Sequence, residues 1–117
     1  MTKSQPPVRG DLYYDTDTHV WAERVASGSI RVGLDPLGAE TSGDIVAVSF
    51  VADGTRVRRG EAFGSLEAAK FVGPLIAPVS GVIRTHNADA LARPGLINRD
   101  PFGAWLIELE PGDPAEL

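Results

Sequence analysis

Lysine is rare in this 117-residue chain: only Lys3 and Lys70 occur, against nine arginines. Lys3 lies in a polar N-terminal stretch. Lys70 falls inside Gly64-Ser65-Leu66-Glu67-Ala68-Ala69-Lys70-Phe71-Val72-Gly73-Pro74, between two strand-like segments. That placement offers a primary amine at the tip of a hairpin. A guanidinium would supply the charge there, but not an amine that a ligase can acylate. A lysine that carries a group covalently must protrude on a turn, so that several proteins reach it. It needs a rigid scaffold, which defines the swing of whatever is tethered. Its neighbours must be small or acidic, and Glu67, Ala68 and Ala69 meet that need. Tethering raises the effective concentration of a carried intermediate at each partner site.

Other residues with chemical potential are few. His19 and His86 are the only histidines. With no nucleophile or second imidazole nearby, His19, close to Trp21, reads as a structural hydrogen-bonding residue rather than an acid-base catalyst. Asp15 and Asp17 form a solvated pair on a turn, too few oxygens for a metal. The sequence has no cysteine, so it holds no disulfide, no cysteine-ligated metal and no protein thiol nucleophile. Any thiol chemistry must come from a cofactor. The sequence also lacks a phosphate-binding loop and a nucleophile–base pair, which speaks against an enzyme.

Composition narrows the class further. A hydrophobic content of 43% with both charge signs suits a globular chain, and 117 residues suit one small domain. The net charge of -5 argues against nucleic acid, because no basic stripe can offset phosphates. The densest basic cluster, Arg56, Arg58 and Arg59, is followed at once by Glu61 and reads as a solvated turn face. No apolar run approaches a membrane span. The first ten residues lack a secretory or organelle-import pattern, so the expectation is a cytoplasmic protein.

Thirteen glycines and nine prolines imply short elements and many turns. Residues 1–10, with Pro6-Pro7, read as a flexible tail, and 11–117 as a single domain. Val20 to Val25 and Ser29 to Leu34 flank Ser27-Gly28, a hairpin signal. Asp35-Pro36 suits a helix start, and Gly38 and Gly43 keep that helix short. Asp44 to Val51 is apolar and β-branched, a strand. Gly54 and Gly60 bracket a turn with one buried residue, Val57. Phe63 to Glu67 precedes Lys70 as a strand; Leu75 to Ala77 and Val79 to Arg84 follow it. A helical turn is expected near Asp89 to Ala92, stopped by Pro94-Gly95. Asp100-Pro101 reads as a turn, and Trp105 to Glu110 as the last strand. Trp21 and Trp105 are expected in the core. A faint echo between Gly54–Gly60 and Asn87–Gly95 suggests a pseudo-symmetric sandwich with Lys70 at its apex. The pattern as a whole is all-β: a small sandwich or barrel with one or two short helical turns.

From about Leu12 to Pro111 the chain resembles the glycine cleavage H-protein family of lipoyl carriers. The resemblance is carried by Tyr14 with His19-Val20-Trp21, Val32-Gly33-Leu34, Gly43-Asp44-Ile45-Val46, Gly60-Glu61-Ala62-Phe63-Gly64, Glu67-Ala68-Ala69-Lys70, Ala77-Pro78-Val79-Ser80-Gly81, Asn98-Arg99-Asp100-Pro101-Phe102-Gly103 and Trp105-Leu106-Ile107. Their order is specific, above all the spacing from Lys70 to Pro78. It implies a barrel-sandwich hybrid fold, lipoate in amide linkage to Lys70, and Glu67 as a recognition residue for the attaching enzyme. The implied partners are a lipoate ligase or transferase, glycine decarboxylase, a folate-dependent aminomethyltransferase and dihydrolipoyl dehydrogenase. The carrier itself is no enzyme; the cofactor does the chemistry.

The chain departs from the family pattern in places. Val20 stands where a glutamate is usual, Phe50-Val51 replaces an acid and a proline, and Phe71-Val72-Gly73-Pro74 replaces a small polar run. The Lys-Phe-Val-Gly-Pro run is also similar to that of H-like lipoate-binding proteins serving bacterial sulfur oxidation. There the implied partner is a heterodisulfide-reductase-like complex and the cargo contains sulfur. A biotin carrier would show methionine on both sides of the lysine, and a 2-oxoacid dehydrogenase lipoyl domain an aspartate before it; Ala69 and Phe71 fit neither. An unmodified interaction module on the same fold is the alternative of a different class.

Overall fold

The computed structural model describes residues 12–112. Lys3 and the expected tail, residues 1–10, lie outside the described residues. β1 (Leu12–Asp15) pairs antiparallel with β2 (Val20–Arg24). Between them Asp15 organises the turn: its Oδ1 accepts from the Asp17 and Thr18 amides at 3.1 and 3.3 Å. Asp15 therefore serves the backbone, and no cluster of three candidate metal ligands exists among the described residues. β2 turns at Gly28 (φ 93°) into β3 (Ile30–Leu34), as the sequence predicts.

α1 (Pro36–Ser42) starts where Asp35-Pro36 indicates. The Asp35 carboxylate, 1% exposed, caps it by accepting from the Gly38 amide at 2.7 Å. Gly43 (φ 78°) ends it. Gly38 does not shorten the helix; it lies inside, where a Cβ would sit 2.7 Å from the His19 Cβ. Then come β4 (Ile45–Phe50), β5 (Arg56–Val57), β6 (Ala62–Ala68), β7 (Val72–Ile76) and β8 (Gly81–His86). α2 (Ala88–Ala92), α3 (Gly95–Arg99) and β9 (Ile107–Pro111) complete the described chain.

Two sheets result, one of six strands in the order β1-β2-β3-β9-β8-β5 and one of three in the order β4-β6-β7. Their inner faces share one core. Val20, Ala22, Ile30, Val32, Ile83 and Leu109 come from the large sheet, and Phe63, Leu66 and Leu75 from the small one. Each such large side chain stabilises the fold by roughly 1.5–3 kcal/mol when fully buried. Phe63 and Leu66 are three residues apart, yet both point inward. A register shift between Ala62 and Gly64 makes this possible, adding one residue to β6 and breaking the two-residue alternation.

Several expectations are corrected. β7 begins at Val72 rather than Leu75 and runs through Pro74. The proline is tolerated because β7 is an edge strand, with no further neighbour awaiting its missing N–H. β8 spans Gly81–His86 rather than Val79 to Arg84. Pro94-Gly95 stops α2 but also opens α3, since Pro94 (φ -58°) already has helical geometry. Trp21 is in the core, its indole N–H donating to the Pro101 carbonyl at 3.1 Å. Trp105 is only half-buried and precedes β9; the Arg31 guanidinium covers its ring at 4.7 Å. The expected echo does not hold either. Gly54–Gly60 contains a strand and Asn87–Gly95 a helix, and the sheets have six and three strands. The cluster of Arg56, Arg58 and Arg59 is exposed, Arg56 on β5 and the other two in the turn after it, with the Arg58 amide donating to the Glu61 carboxylate at 2.8 Å.

Candidate functional site

β6 and β7 form a tight hairpin closed by the Ala68 amide donating to the Phe71 carbonyl at 2.8 Å. Lys70 stands on the turn between them and is exposed, as is Glu67 on β6. The turn does not hang free. The Lys70 amide donates to the Ser42 carbonyl at 2.8 Å, and the Ala69 amide to the Asp44 carbonyl at 2.9 Å. Thus the segment between α1 and β4 forms a shelf under the lysine. Gly43 sits on that shelf at φ 78°, and a Cβ there would lie 3.3 Å from the Ala69 Cβ and 3.5 Å from the Lys70 Cγ. No ion pair between described residues holds the Lys70 amine. A scaffold-fixed backbone under an unpaired amine suits acylation.

Glu67 lies in the row Ala47–Glu67–Val72 across the small sheet. It therefore faces outward on the same hairpin as Lys70. Two apolar neighbours share this end of the molecule: Phe71 is 44% exposed and Val72 75% exposed. They give the lysine turn an apolar flank.

A cleft of about 160 Å³ runs from Lys70 between the hairpin and α1. Leu34, Leu66, Phe71 and Leu75 form its apolar wall, and His19 and Thr41 belong to its polar wall. The volume is below the ~300–1,000 Å³ of sites for free small molecules. It suits a thin arm attached at its mouth. Two buried polar atoms belong to residues lining this cleft and have no hydrogen-bond partner: Thr18 Oγ1 and His19 Nδ1. His19 Nδ1 is 3.5 Å from Asp35 Oδ1, a contact that lacks hydrogen-bond geometry. Buried groups of this kind cost stability unless something pairs with them. A lysine-tethered apolar stem fits the apolar wall of this cleft.

His19 is fixed through its backbone. Its amide donates to the Asp15 carbonyl and its carbonyl accepts from the Asp35 amide, both at 2.8 Å, at φ 60°. His86 lies elsewhere, in a groove with Phe50 and Leu91, its Nδ1 3.1 Å from Asp53 Oδ1. The sequence reasoning singled out Lys70 and Glu67, which the fold sets on one hairpin. It did not find Thr18 and Thr41 as cleft residues, because an isolated threonine, in a turn or in α1, carries no spacing signal. Nor did it find Asn98 as anything but part of a motif. The Asn98 Oδ1 accepts from the Ile45 amide at 2.9 Å, and its Nδ2 donates to the Gly43 carbonyl at 2.9 Å and the Ala39 carbonyl at 3.4 Å.

Comparison with known proteins agrees with this geometry. The model of the family described as "Glycine cleavage H-protein" matches residues 12–117. A glycine cleavage system H protein of Chlorobium chlorochromatii is 41% identical over 107 residues, covering 92% of this chain and 84% of that protein. One from Mycobacterium avium is 39% identical over 108 residues, covering 92% and 81%. The crystal structure of a glycine cleavage system H protein from Mycobacterium marinum superposes with a TM-score of 0.82 at 36% identity, covering 90% of this chain and 87% of that one. With the barrel-sandwich fold and a family match over nearly its whole length, the chain belongs to the glycine cleavage H-protein family, a family of lipoyl carriers.

Proposed function

We propose that Lys70 is the lipoyl attachment point and that this chain presents the arm to the enzymes of glycine cleavage. The observation that carries the reading is an exposed lysine beside a narrow cleft, on a turn whose Lys70 and Ala69 amides are fixed by the Ser42 and Asp44 carbonyls. In the unmodified chain the Lys70 amine is the nucleophile toward an activated carboxyl group. An amide forms, the amine loses a proton, and the activating group leaves. Bound there, the dithiolane supplies the redox and group-carrying chemistry that a cysteine-free chain lacks.

The chain's own residues do the rest. Ser42 and Asp44 fix the turn through their carbonyls. Leu34, Leu66 and Phe71 give the cleft an apolar wall for the stem of the arm. Glu67 is the recognition residue for the attaching ligase or transferase. The absence of protein thiols prevents an intramolecular mixed disulfide with the arm. In this reading the chain catalyses nothing. It works in the cytoplasm with glycine decarboxylase, aminomethyltransferase and dihydrolipoyl dehydrogenase. The relatives' names support glycine cleavage over the sulfur-carrying alternative.

Mass spectrometry of natively expressed protein tests the reading. The tryptic peptide Gly60 to Arg84 should carry a lipoyl mass and a missed cleavage at Lys70. An unmodified peptide from a lipoate-replete native host would favour the interaction module instead. Glycine-dependent CO2 release with added decarboxylase then tests the pathway; a modified carrier inert in that reaction would overturn it.

A further inference from the structure

We propose that Asn98 is a positioning residue for the carrier turn: its side-chain amide fixes the shelf that in turn fixes Lys70. The inference rests on the reading of Lys70 as the attachment point. The shelf is the segment from Ser42 to Asp44, whose carbonyls receive the Lys70 and Ala69 amides. Left to itself this segment is weakly held. Gly43 is in the left-handed region at φ 78°, and its amide makes only a 3.3 Å bond back to the Glu40 carbonyl. The end of α1 leaves carbonyls without intrahelical partners, as every helix end does.

Asn98 reaches across from α3 and takes three backbone groups, one in the shelf and one on either side of it. Nδ2 donates to the Ala39 and Gly43 carbonyls, and Oδ1 accepts from the Ile45 amide. One side chain thereby ties the last turn of α1 to the first residue of β4. The chemistry requires an amide. A carboxylate could accept from Ile45 but could not donate to either carbonyl, and an aliphatic side chain could do neither. The connection to Lys70 is then two hydrogen-bonded layers deep: Asn98 to the shelf, and the shelf to the turn.

A loosened shelf lets the turn leave the conformation that an attaching enzyme binds. Apparent affinity falls in proportion to the competent fraction, while turnover of the bound complex is kept. The role therefore predicts a rise in KM without loss of kcat.

The test uses the unmodified 117-residue chain, a lipoate ligase, lipoate and ATP. Asn98→Leu should raise the ligase KM for the carrier about tenfold with kcat nearly unchanged. Amide hydrogen exchange should quicken at Ala69 and Lys70 while amides in β3 and β9 stay protected. Asn98→Asp, keeping only the acceptor, should fall between wild type and Asn98→Leu, and it carries the test if the leucine variant does not fold. The proposal is overturned if the two turn amides keep their protection, if they open with KM unchanged, or if all amides open together. If the wild-type chain accepts no lipoate, the attachment reading fails by itself, and the exchange data alone decide whether Asn98 holds the turn.

Discussion

An arginine at position 70 would keep the charge and most of the stem of Lys70, yet would offer no acylable amine. Lys70→Arg should therefore leave thermal unfolding within about 0.5 kcal/mol of wild type, as for other exposed substitutions. It should carry no lipoyl mass and support no glycine-dependent CO2 release with the partner enzymes. An active arginine variant would sink the assignment of the site. Glu67 poses a subtler question. It faces solvent in the row Ala47–Glu67–Val72, where an exposed carboxylate contributes little to folding. Glu67→Ala should leave the melting curve within about 0.5 kcal/mol of wild type while lowering the ligase kcat/KM. Normal lipoylation kinetics for this variant would remove Glu67 from recognition. Gly43 works from below: at φ 78°, with Ala69 and the Lys70 stem against it, any side chain is strained and crowded. Gly43→Ala should cost about 1–3 kcal/mol, because φ 78° with ψ -163° is backbone that essentially only glycine adopts. Chemical denaturation reads that cost directly; an unchanged midpoint would show that the shelf tolerates a Cβ.

At the scale of elements, α1 forms one wall of the cleft, and Asp35 starts it. The Asp35 carboxylate is buried and accepts from the Gly38 amide at 2.7 Å. Asp35→Ala should destabilise the chain by about 1–2 kcal/mol through the lost cap. That is a fall of several degrees in Tm for a domain near this size. Asp35→Asn, which keeps a capping oxygen, should recover most of it; failure to recover would mean that the carboxylate charge matters beyond the cap. This helix start was legible because Asp-Pro is a local signal. So was the hairpin at Ser27-Gly28, where Gly28 supplies φ 93°. Lys70 was legible for the same reason, standing between two short strands with small neighbours. What escaped depends on distant partners. Whether Pro74 sits in a strand depends on β7 being an edge, which no local pattern announces. Trp105 looked like core from its type alone, yet Arg31 from β3 shields it at the surface. Asn98 meets α1 and β4 across more than fifty positions of chain, so its role was invisible in the sequence.

For the molecule as a whole, the carrier turn is only as rigid as a core built from both sheets. Phe63, Leu66 and Leu75 lie under the hairpin that bears Lys70, and they pack into one cluster with Ile30, Val32 and Leu109 of the large sheet. The large sheet in turn closes late in the chain. β9 inserts between β3 and β8, pairing Ile30 with Leu109 and Ile83 with Leu109 on its two sides. Neither sheet can bury its inner face without the other, so no sub-domain is left to unfold separately. The chain should therefore unfold in a single cooperative transition, with tryptophan fluorescence and far-UV circular dichroism giving coincident curves. Refolding should be slow for its size, on the order of milliseconds to seconds, because the pairing of β3 with β9 must close a long loop before it is rewarded. Leu109→Ala, deleting a buried side chain at that junction, should cost about 2–5 kcal/mol. It should shift both probes together, since one core serves both sheets. If fluorescence and circular dichroism separate in this variant, the small sheet holds its structure independently of β9. The turn at Lys70 would then owe its rigidity to the β4-β6-β7 sheet and its shelf alone.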